Sequence, residues 1–129
     1  MSATVTDVTS TQIVDRYIES MNETDAAARR ALIASAWTED CSFVDPLARG
    51  EGHAGIEAII AGIQTQFPGL RVRRVGDVDS HHDRLRFSWE FAPEGGDPLA
   101  GGVDFAILRD DRLHNVTGFL DFSPSAAGR

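Results

Sequence analysis

The sequence predicts an α+β domain in which helices come first and an antiparallel sheet follows. Up to residue 66, apolar residues recur at helical spacing, and from Leu70 onward they alternate with a period of two. Between the two halves stands Phe67-Pro68-Gly69, a segment that ends helices. Helices that fold back on one curved sheet form a cone, and the space they leave unfilled is where ligands bind. The order of patterns therefore predicts both an architecture and a pocket.

The first helix is predicted over residues 9–23. Thr9 and Gln12 stand at the spacing of a capping box, and Tyr17 lies on the apolar face of the helix, toward the core. Residues 1–8 are small and polar, so we expect them to form a flexible N-terminus.

Two further helices are predicted before the sheet. The second covers residues 25–37, with its alanines inward and the Arg29-Arg30 pair outward. The third follows Gly52, and its isoleucines recur at helical spacing, at positions 56, 59, 60 and 63.

The strand pattern predicts one short strand between the second and third helices and four strands after the third. Their predicted ranges are 41–44, 70–78, 85–91, 102–108 and 112–122. Residues 123–129 are predicted to be a flexible tail, which leaves 9–122 as a single domain.

Composition limits the partners. The 129-residue chain carries a net charge of −8, so nucleic acid and anionic membrane surfaces are not expected partners, whereas a small hydrophobic molecule is. No apolar stretch is long enough for a membrane span. Cys41 is the only cysteine, in agreement with a reducing compartment, and we expect a cytoplasmic protein. No cofactor is expected, and no cluster of side chains at metal-ligand spacing predicts a metal site.

A single carboxylate interrupts an apolar strand pattern at Asp104. Alternation places Asp104 on one face with Ala106 and Leu108, and this composition predicts that the carboxyl is buried. A buried carboxyl must find hydrogen-bond partners or hold its proton through a raised pKa, and an acid–base site uses either property. The alternative is a structural ion pair with an arginine such as Arg86 or Arg112.

The opposite face of the same strand is also apolar. Val103, Phe105 and Ile107 alternate with Asp104, so something must cover the outer side of the sheet. A second copy of the chain is the simplest cover, which predicts a homodimer.

A second carboxylate of interest, Asp45, directly precedes Pro46 in the turn after the first short strand. An aspartate before proline is a common way to begin a turn, where its side chain caps local amides. The alternative is that Asp45 contacts a ligand or transfers a proton, and the sequence leaves both interpretations open.

Several local motifs, in this order and spacing, resemble the nuclear-transport-factor-2-like superfamily, in the branch of SnoaL-like polyketide cyclases and ketosteroid isomerases. The resemblance covers nearly the whole chain. The motifs that carry it are Arg16-Tyr17-Ile18, Phe43-Val44-Asp45-Pro46, Gly52, Phe67-Pro68-Gly69, Val103-Asp104-Phe105 and Gly118-Phe119.

The resemblance implies a cone-shaped fold and three catalytic roles. It implies that Asp45 is the general base, that Tyr17 is an oxyanion donor and that Asp104 is a protonated carboxyl acting as the second donor. Isomerases of this kind often support the oxyanion tyrosine with further tyrosines, whereas Tyr17 is the only tyrosine here and Ile60 stands about where another is expected.

The leading hypothesis is therefore a cofactor-independent enzyme that transfers a proton next to a carbonyl group, as an isomerase or a cyclase. A noncatalytic ligand-binding or dimerisation domain is the alternative, and an epoxide hydrolase is a third option for which no relay arginine can be placed. The residues expected to contact the ligand are Trp37, His53, Ile60, Ile63, Trp89 and Leu120.

Overall fold

The computed structural model describes residues 2–122, with side chains from residue 10 onward. In this part of the chain, three helices pack against a six-stranded sheet, which confirms the α+β class. The elements in chain order are α1 (Ser2–Asn22), α2 (Ala26–Ala36), β1 (Trp37–Val44), β2 (Arg49–Glu51), α3 (Gly52–Gln66), β3 (Leu70–His81), β4 (Arg84–Pro93), β5 (Ala100–Arg109) and β6 (Arg112–Phe122).

The sheet has the strand order β2-β1-β6-β5-β4-β3, and it is mixed rather than purely antiparallel. Strands β3 to β6 pair antiparallel as predicted, but β1 lies parallel to β6. Alternation within a strand carries no information on strand direction, so the sequence could not reveal this pairing. Breaks in register, such as those between Gly101 and Gly102 and between Ile107 and Leu108, bend the sheet around a central cavity.

The first helix is longer than predicted. It begins at Ser2 rather than near Thr9, because residues 2–8 contain no glycine or proline and the capping-box spacing falls inside the helix. The predicted tail, residues 123–129, lies outside the described residues.

The predicted inward face of α2 is confirmed for Ala36 and wrong for Arg29, while Arg30 is exposed as predicted. Arg29 is buried, at 5% exposure, together with Ile33 and Ala36. Its guanidinium makes two hydrogen bonds to the Glu57 carboxylate of α3, at 2.9 and 2.7 Å, and a third to Gln64 at 2.9 Å. Bidentate pairing satisfies the buried charge, and it joins α2 to the helix that forms one wall of the cavity.

The strands mostly extend beyond their predicted limits. Strand β1 begins at Trp37, a residue that the sequence pattern assigns to the end of the second helix. The short strand β2 lies where the sequence predicts the turn after the first short strand. Asp110 and Asp111 both have positive φ, of 55° and 59°, in the two-residue turn between β5 and β6. Two such residues match the twist of a hairpin, which explains why β5 and β6 pair with each other along their length. No helix within residues 2–122 is long and apolar enough to cross a membrane.

Candidate active site

A cavity of about 380 Å³ opens between the helices and the concave side of the sheet. Its wall is apolar apart from four polar side chains, those of Tyr17, Asp45, Gln66 and Asp104. The apolar lining consists of Met21, Trp37, Phe43, Leu47, Ile56, Ile59, Ile60, Ile63, Phe67, Val72, Phe87, Trp89, Phe91, Ala100 and Leu120. A concave apolar pocket with a few convergent polar groups is the usual form of a small-molecule site.

The carboxyl of Asp104 is held by two donors in this cavity. The Tyr17 hydroxyl donates to Oδ2 at 3.1 Å, and the Trp89 indole N–H donates to Oδ1 at 3.0 Å. The three side chains come from β5, α1 and β4, so the site depends on the folded cone rather than on one local motif. Asp104 is 4% exposed, in agreement with the predicted burial.

Burial raises the pKa of Asp104 to about 6, and the negative charge of Asp45 acts in the same direction. The hydrogen bonds from Tyr17 and Trp89 oppose this increase in pKa, because they favour the carboxylate. The proton of Asp104 is therefore exchanged near pH 6, and the acid form is the major form only below that value.

Tyr17 packs against two aromatic neighbours. Its ring meets Trp37 and Phe87 edge to face, with centroids 5.5 and 5.9 Å away. Burial, followed by the nearby charge of Asp104, raises the pKa of the Tyr17 hydroxyl well above its ordinary value. The hydroxyl thus keeps its proton and can serve as a hydrogen-bond donor at any physiological pH.

Gly118 of β6 lies beside the side chains of both Asp104 and Asp45. It lies opposite Asp104 in the strand register, while Val44, just before Asp45, pairs with Thr117. A methyl group added at Gly118 would be 2.8 Å from Asp104 Oδ1 and 3.2 Å from Asp45 Cβ. Both side chains therefore border one small volume above Gly118, which only a glycine leaves open.

Asp45 holds the turn after β1 and also lines the cavity. Its Oδ1 accepts hydrogen bonds from the backbone N–H groups of Leu47 and Ala48, each at 2.8 Å, so the side chain does hold the turn. The same residue lines the cavity. Within residues 10–122, no hydrogen bond occupies Oδ2 of Asp45, and that oxygen is left for solvent or a ligand.

Five of the six predicted ligand contacts line the cavity: Trp37, Ile60, Ile63, Trp89 and Leu120. His53 does not line it. Its Nε2 lies 3.0 Å from the backbone oxygen of Trp37, so the ring is engaged at the start of α3 instead. Its position gives no support to a ligand contact.

Several cavity residues were missed at the level of the sequence. Phe87 and Phe91 alternate with Trp89 along β4 and line the same cavity, so the period of two could have identified them. No sequence pattern predicts the hydrogen bond from Trp89 to Asp104, because that bond depends on the relative position of two neighbouring strands.

The structure excludes the ion-pair alternative for Asp104. Arg86 pairs with Asp79 on the surface, and the hydrogen bond of Arg112 within residues 10–122 goes to the backbone oxygen of Ala34. The cavity lining contains no arginine, lysine or histidine among the described residues. Nor does this part of the chain bring together three His, Cys, Asp or Glu side chains that could hold a metal ion.

The chain belongs to the SnoaL-like domain family, whose model matches residues 14–116. No curated protein matches the sequence. A proposed isomerase of the SnoaL-like family from Agrobacterium tumefaciens is similar over 88% of this chain and 98% of its own, with 41% identity and a TM-score of 0.84. Together with the helix and sheet order, this membership confirms the nuclear-transport-factor-2-like fold.

More distant structures share the fold. A proposed ketosteroid isomerase from Kribbella flavida is 18% identical, with a TM-score of 0.68 over 91% of this chain and 81% of its own. A proposed polyketide cyclase from Sinorhizobium meliloti is 15% identical, with a TM-score of 0.65 over 83% of this chain and 93% of its own. The family thus supports a function of the isomerase or cyclase type in general terms.

Proposed function

We propose that the protein is an enzyme that binds a hydrophobic carbonyl compound in the cavity and moves a proton at the carbon next to the carbonyl group, without a cofactor. Asp45 is the base, and Tyr17 with Asp104 stabilises the enolate oxygen. The observation that carries the proposal is the convergence of these three side chains on one apolar cavity. Either an isomerisation or an aldol-type cyclisation uses this arrangement.

The position of Asp45 supports its role as a base. Two backbone N–H groups orient the carboxyl through Oδ1, and Oδ2 is free of hydrogen bonds from residues 10–122. A base must be rigidly placed and must keep a lone pair for the proton it removes. Asp45 meets both requirements, because the turn orients Oδ1 and leaves Oδ2 without a hydrogen bond from residues 10–122.

The Tyr17–Asp104 pair supports the stabilisation of negative charge. Both side chains are buried, so the hydrogen bond that the pair gives to a developing enolate oxygen through the Tyr17 hydroxyl acts in a medium of low dielectric. The pKa of about 6 for Asp104 makes its proton available under mildly acidic conditions. Binding a hydrophobic substrate removes water from the cavity and raises this pKa further.

The lining also supports the choice of substrate class. Two carboxyl groups and no cation line the cavity among the described residues, so an anionic substrate is disfavoured. The remaining surface is mostly aliphatic or aromatic. A neutral, mostly hydrophobic ketone or related carbonyl compound fits this environment.

Binding of a hydrophobic phenol tests this assignment. A phenol resembles the enol form of such a substrate, because its hydroxyl oxygen is attached to a flat, unsaturated carbon framework, so we expect it to bind with its oxygen at Tyr17. Tyr17→Phe is expected to weaken binding of the phenol about tenfold or more and to leave binding of the same ring without a hydroxyl unchanged. Equal affinity of the wild type for phenol and parent hydrocarbon, measured by calorimetry, contradicts the oxyanion role.

The alternative function is that of a noncatalytic ligand-binding or dimerisation domain. The observation that favours it is the use of Asp45 Oδ1 in the turn, which gives this carboxylate a structural task without any chemistry. A protein that binds phenol and parent hydrocarbon equally and transfers no proton would fit this alternative.

We propose that the chain forms a homodimer through the outer face of the sheet. Phe105 and Phe119 are 46% and 51% exposed there, and their rings meet edge to face. An apolar patch of this kind is commonly covered by a second copy.

Light scattering tests the homodimer. We expect a dimer mass for the wild type and a monomer mass for the double variant Phe105→Glu, Phe119→Glu. A wild type that is monomeric at every micromolar concentration contradicts the proposal.

A cytoplasmic location is also part of the proposal. Cys41 is a free thiol that is 1% exposed, and the chain has no second cysteine with which to form an internal disulfide. A reducing compartment suits such a protein. The net charge of −8 also makes nucleic acid an unfavourable partner.

A further inference from the structure

The two oxygens of the Asp104 carboxyl have neighbours of different chemistry. Oδ1 accepts the indole N–H of Trp89 at 3.0 Å, and Oδ2 accepts the hydroxyl of Tyr17 at 3.1 Å. An indole nitrogen can only donate, whereas a phenolic hydroxyl can donate or accept. The two sides of the carboxyl therefore differ in what they tolerate when Asp104 takes up a proton.

A proton on Oδ1 would point at the indole N–H or into the space beside β6. The first arrangement places two hydrogen atoms face to face and removes the indole hydrogen bond in a buried site. The second directs the proton toward Gly118, which has no side chain to accept it. A proton on Oδ2 meets neither obstacle, because the Tyr17 oxygen can accept it.

We infer that Trp89 is a positioning residue: its indole N–H keeps the acid proton of Asp104 on Oδ2, so that Asp104 donates to Tyr17 and Tyr17 donates onward to the ligand. This inference rests on the proposed function for its final step. It places Asp104 behind Tyr17 in a series, Trp89 to Asp104 to Tyr17 to the ligand oxygen. Each bond in such a chain polarises the next.

Trp37 provides a matched control in the same cavity. It also lines the wall and is fully buried, but its indole nitrogen has no hydrogen-bond partner among the described residues. Trp89→Phe and Trp37→Phe therefore make the same change of ring, and only the first removes a bond to Asp104.

The first experiment is a carboxyl-carbon NMR titration of Asp104 in the wild type and both variants. We expect the titration midpoint to move to higher pH in Trp89→Phe, because a donor that favours the carboxylate is lost, and to stay unchanged in Trp37→Phe. In an active enzyme, the same change in midpoint extends proton transfer to higher pH. An unchanged midpoint in Trp89→Phe, or an equal change in both variants, overturns the inference.

The second experiment uses only the wild type, and it therefore holds if a variant fails to fold. The indole N–H resonance of Trp89 is followed by ¹⁵N–¹H NMR while Asp104 is protonated. With the proton on Oδ2, the indole stays hydrogen-bonded and protected from solvent exchange below the midpoint. Movement to the position of a free indole would place the proton on Oδ1 and overturn the inference. Neither experiment needs a substrate. A finding that the protein converts no ketone would therefore contradict the proposed function without affecting the inferred position of the Asp104 proton.

Discussion

Replacing Asp45 by asparagine is expected to abolish most of the activity and to leave stability nearly unchanged. The asparagine Oδ1 can still accept the two backbone N–H groups of Leu47 and Ala48, so the turn is preserved. The basic oxygen, however, becomes an amide nitrogen that cannot accept a proton. Loss of a general base lowers turnover by about two to four orders of magnitude. Deuterium uptake next to the carbonyl of a hydrophobic ketone measures turnover, and a thermal melt measures stability.

Asp45→Ala separates the catalytic role of this residue from its role in the turn. It removes both backbone hydrogen bonds as well as the base, so it should lose activity like Asp45→Asn and also lose about 1 kcal/mol or more of stability. If Asp45 only holds the turn, the asparagine variant should keep its activity and only the alanine variant should be impaired. Undiminished exchange in Asp45→Asn removes Asp45 as the base.

The second large effect concerns the stability of Asp104→Asn at different pH values. The folded-state pKa of about 6 lies above the ordinary value of 3.8, so the folded protein binds this proton more tightly than the unfolded chain does. The resulting stability is present below pH 3.8 and is lost as the pH rises through 6. Above this range of pH, the buried carboxylate costs about 3 kcal/mol, because each tenfold difference in proton affinity between the folded and unfolded chains corresponds to about 1.4 kcal/mol.

Asparagine avoids this cost and keeps the contacts of Asp104. Its oxygen can accept from the Trp89 indole, and its amide can donate to the Tyr17 oxygen. We expect Asp104→Asn to be roughly 2 to 3 kcal/mol more stable than the wild type at about pH 8 and about equally stable near pH 4. Urea denaturation at both pH values measures the difference.

Asp79→Asn is the control for this measurement. Asp79 forms an exposed ion pair with Arg86, and such pairs contribute little to stability. The control should therefore change stability by less than about 1 kcal/mol at either pH. A stability gain in Asp104→Asn that is equal at both pH values, or absent at both, means that Asp104 does not carry the raised pKa.

The elements that could be predicted from the sequence are those with a clear period. Isoleucines at helical spacing placed α3, and alternation around Asp104 placed that carboxyl on the buried face of β5. The wrong prediction for Arg29, on the inward face of α2, has a physical cause. Arg29 is buried because Glu57 and Gln64, 28 and 35 residues away in sequence, satisfy its charge and its donors. No pattern within a helix reports partners at that distance.

The residues of the candidate site could be predicted from the sequence, but the hydrogen bonds between them could not. The positions of Tyr17, Asp45 and Asp104 followed from motif resemblance and from strand alternation. That Trp89 donates to Asp104, and that His53 is held by the backbone of Trp37, depends on the register between neighbouring elements. The parallel pairing of β1 with β6, which brings Asp45 beside Gly118, is of the same kind.

The most direct test of the central claim is deuterium uptake catalysed by the wild-type protein in a panel of hydrophobic ketones. The panel pairs each enolisable ketone with a close analogue that has no hydrogen on the carbon next to the carbonyl group. We predict that the protein accelerates exchange in at least one enolisable ketone that fits the cavity of about 380 Å³, and that a bound hydrophobic phenol inhibits this exchange. A wild type that accelerates exchange in no member of the panel, although the phenol binds in the cavity, contradicts the claim that this site transfers protons.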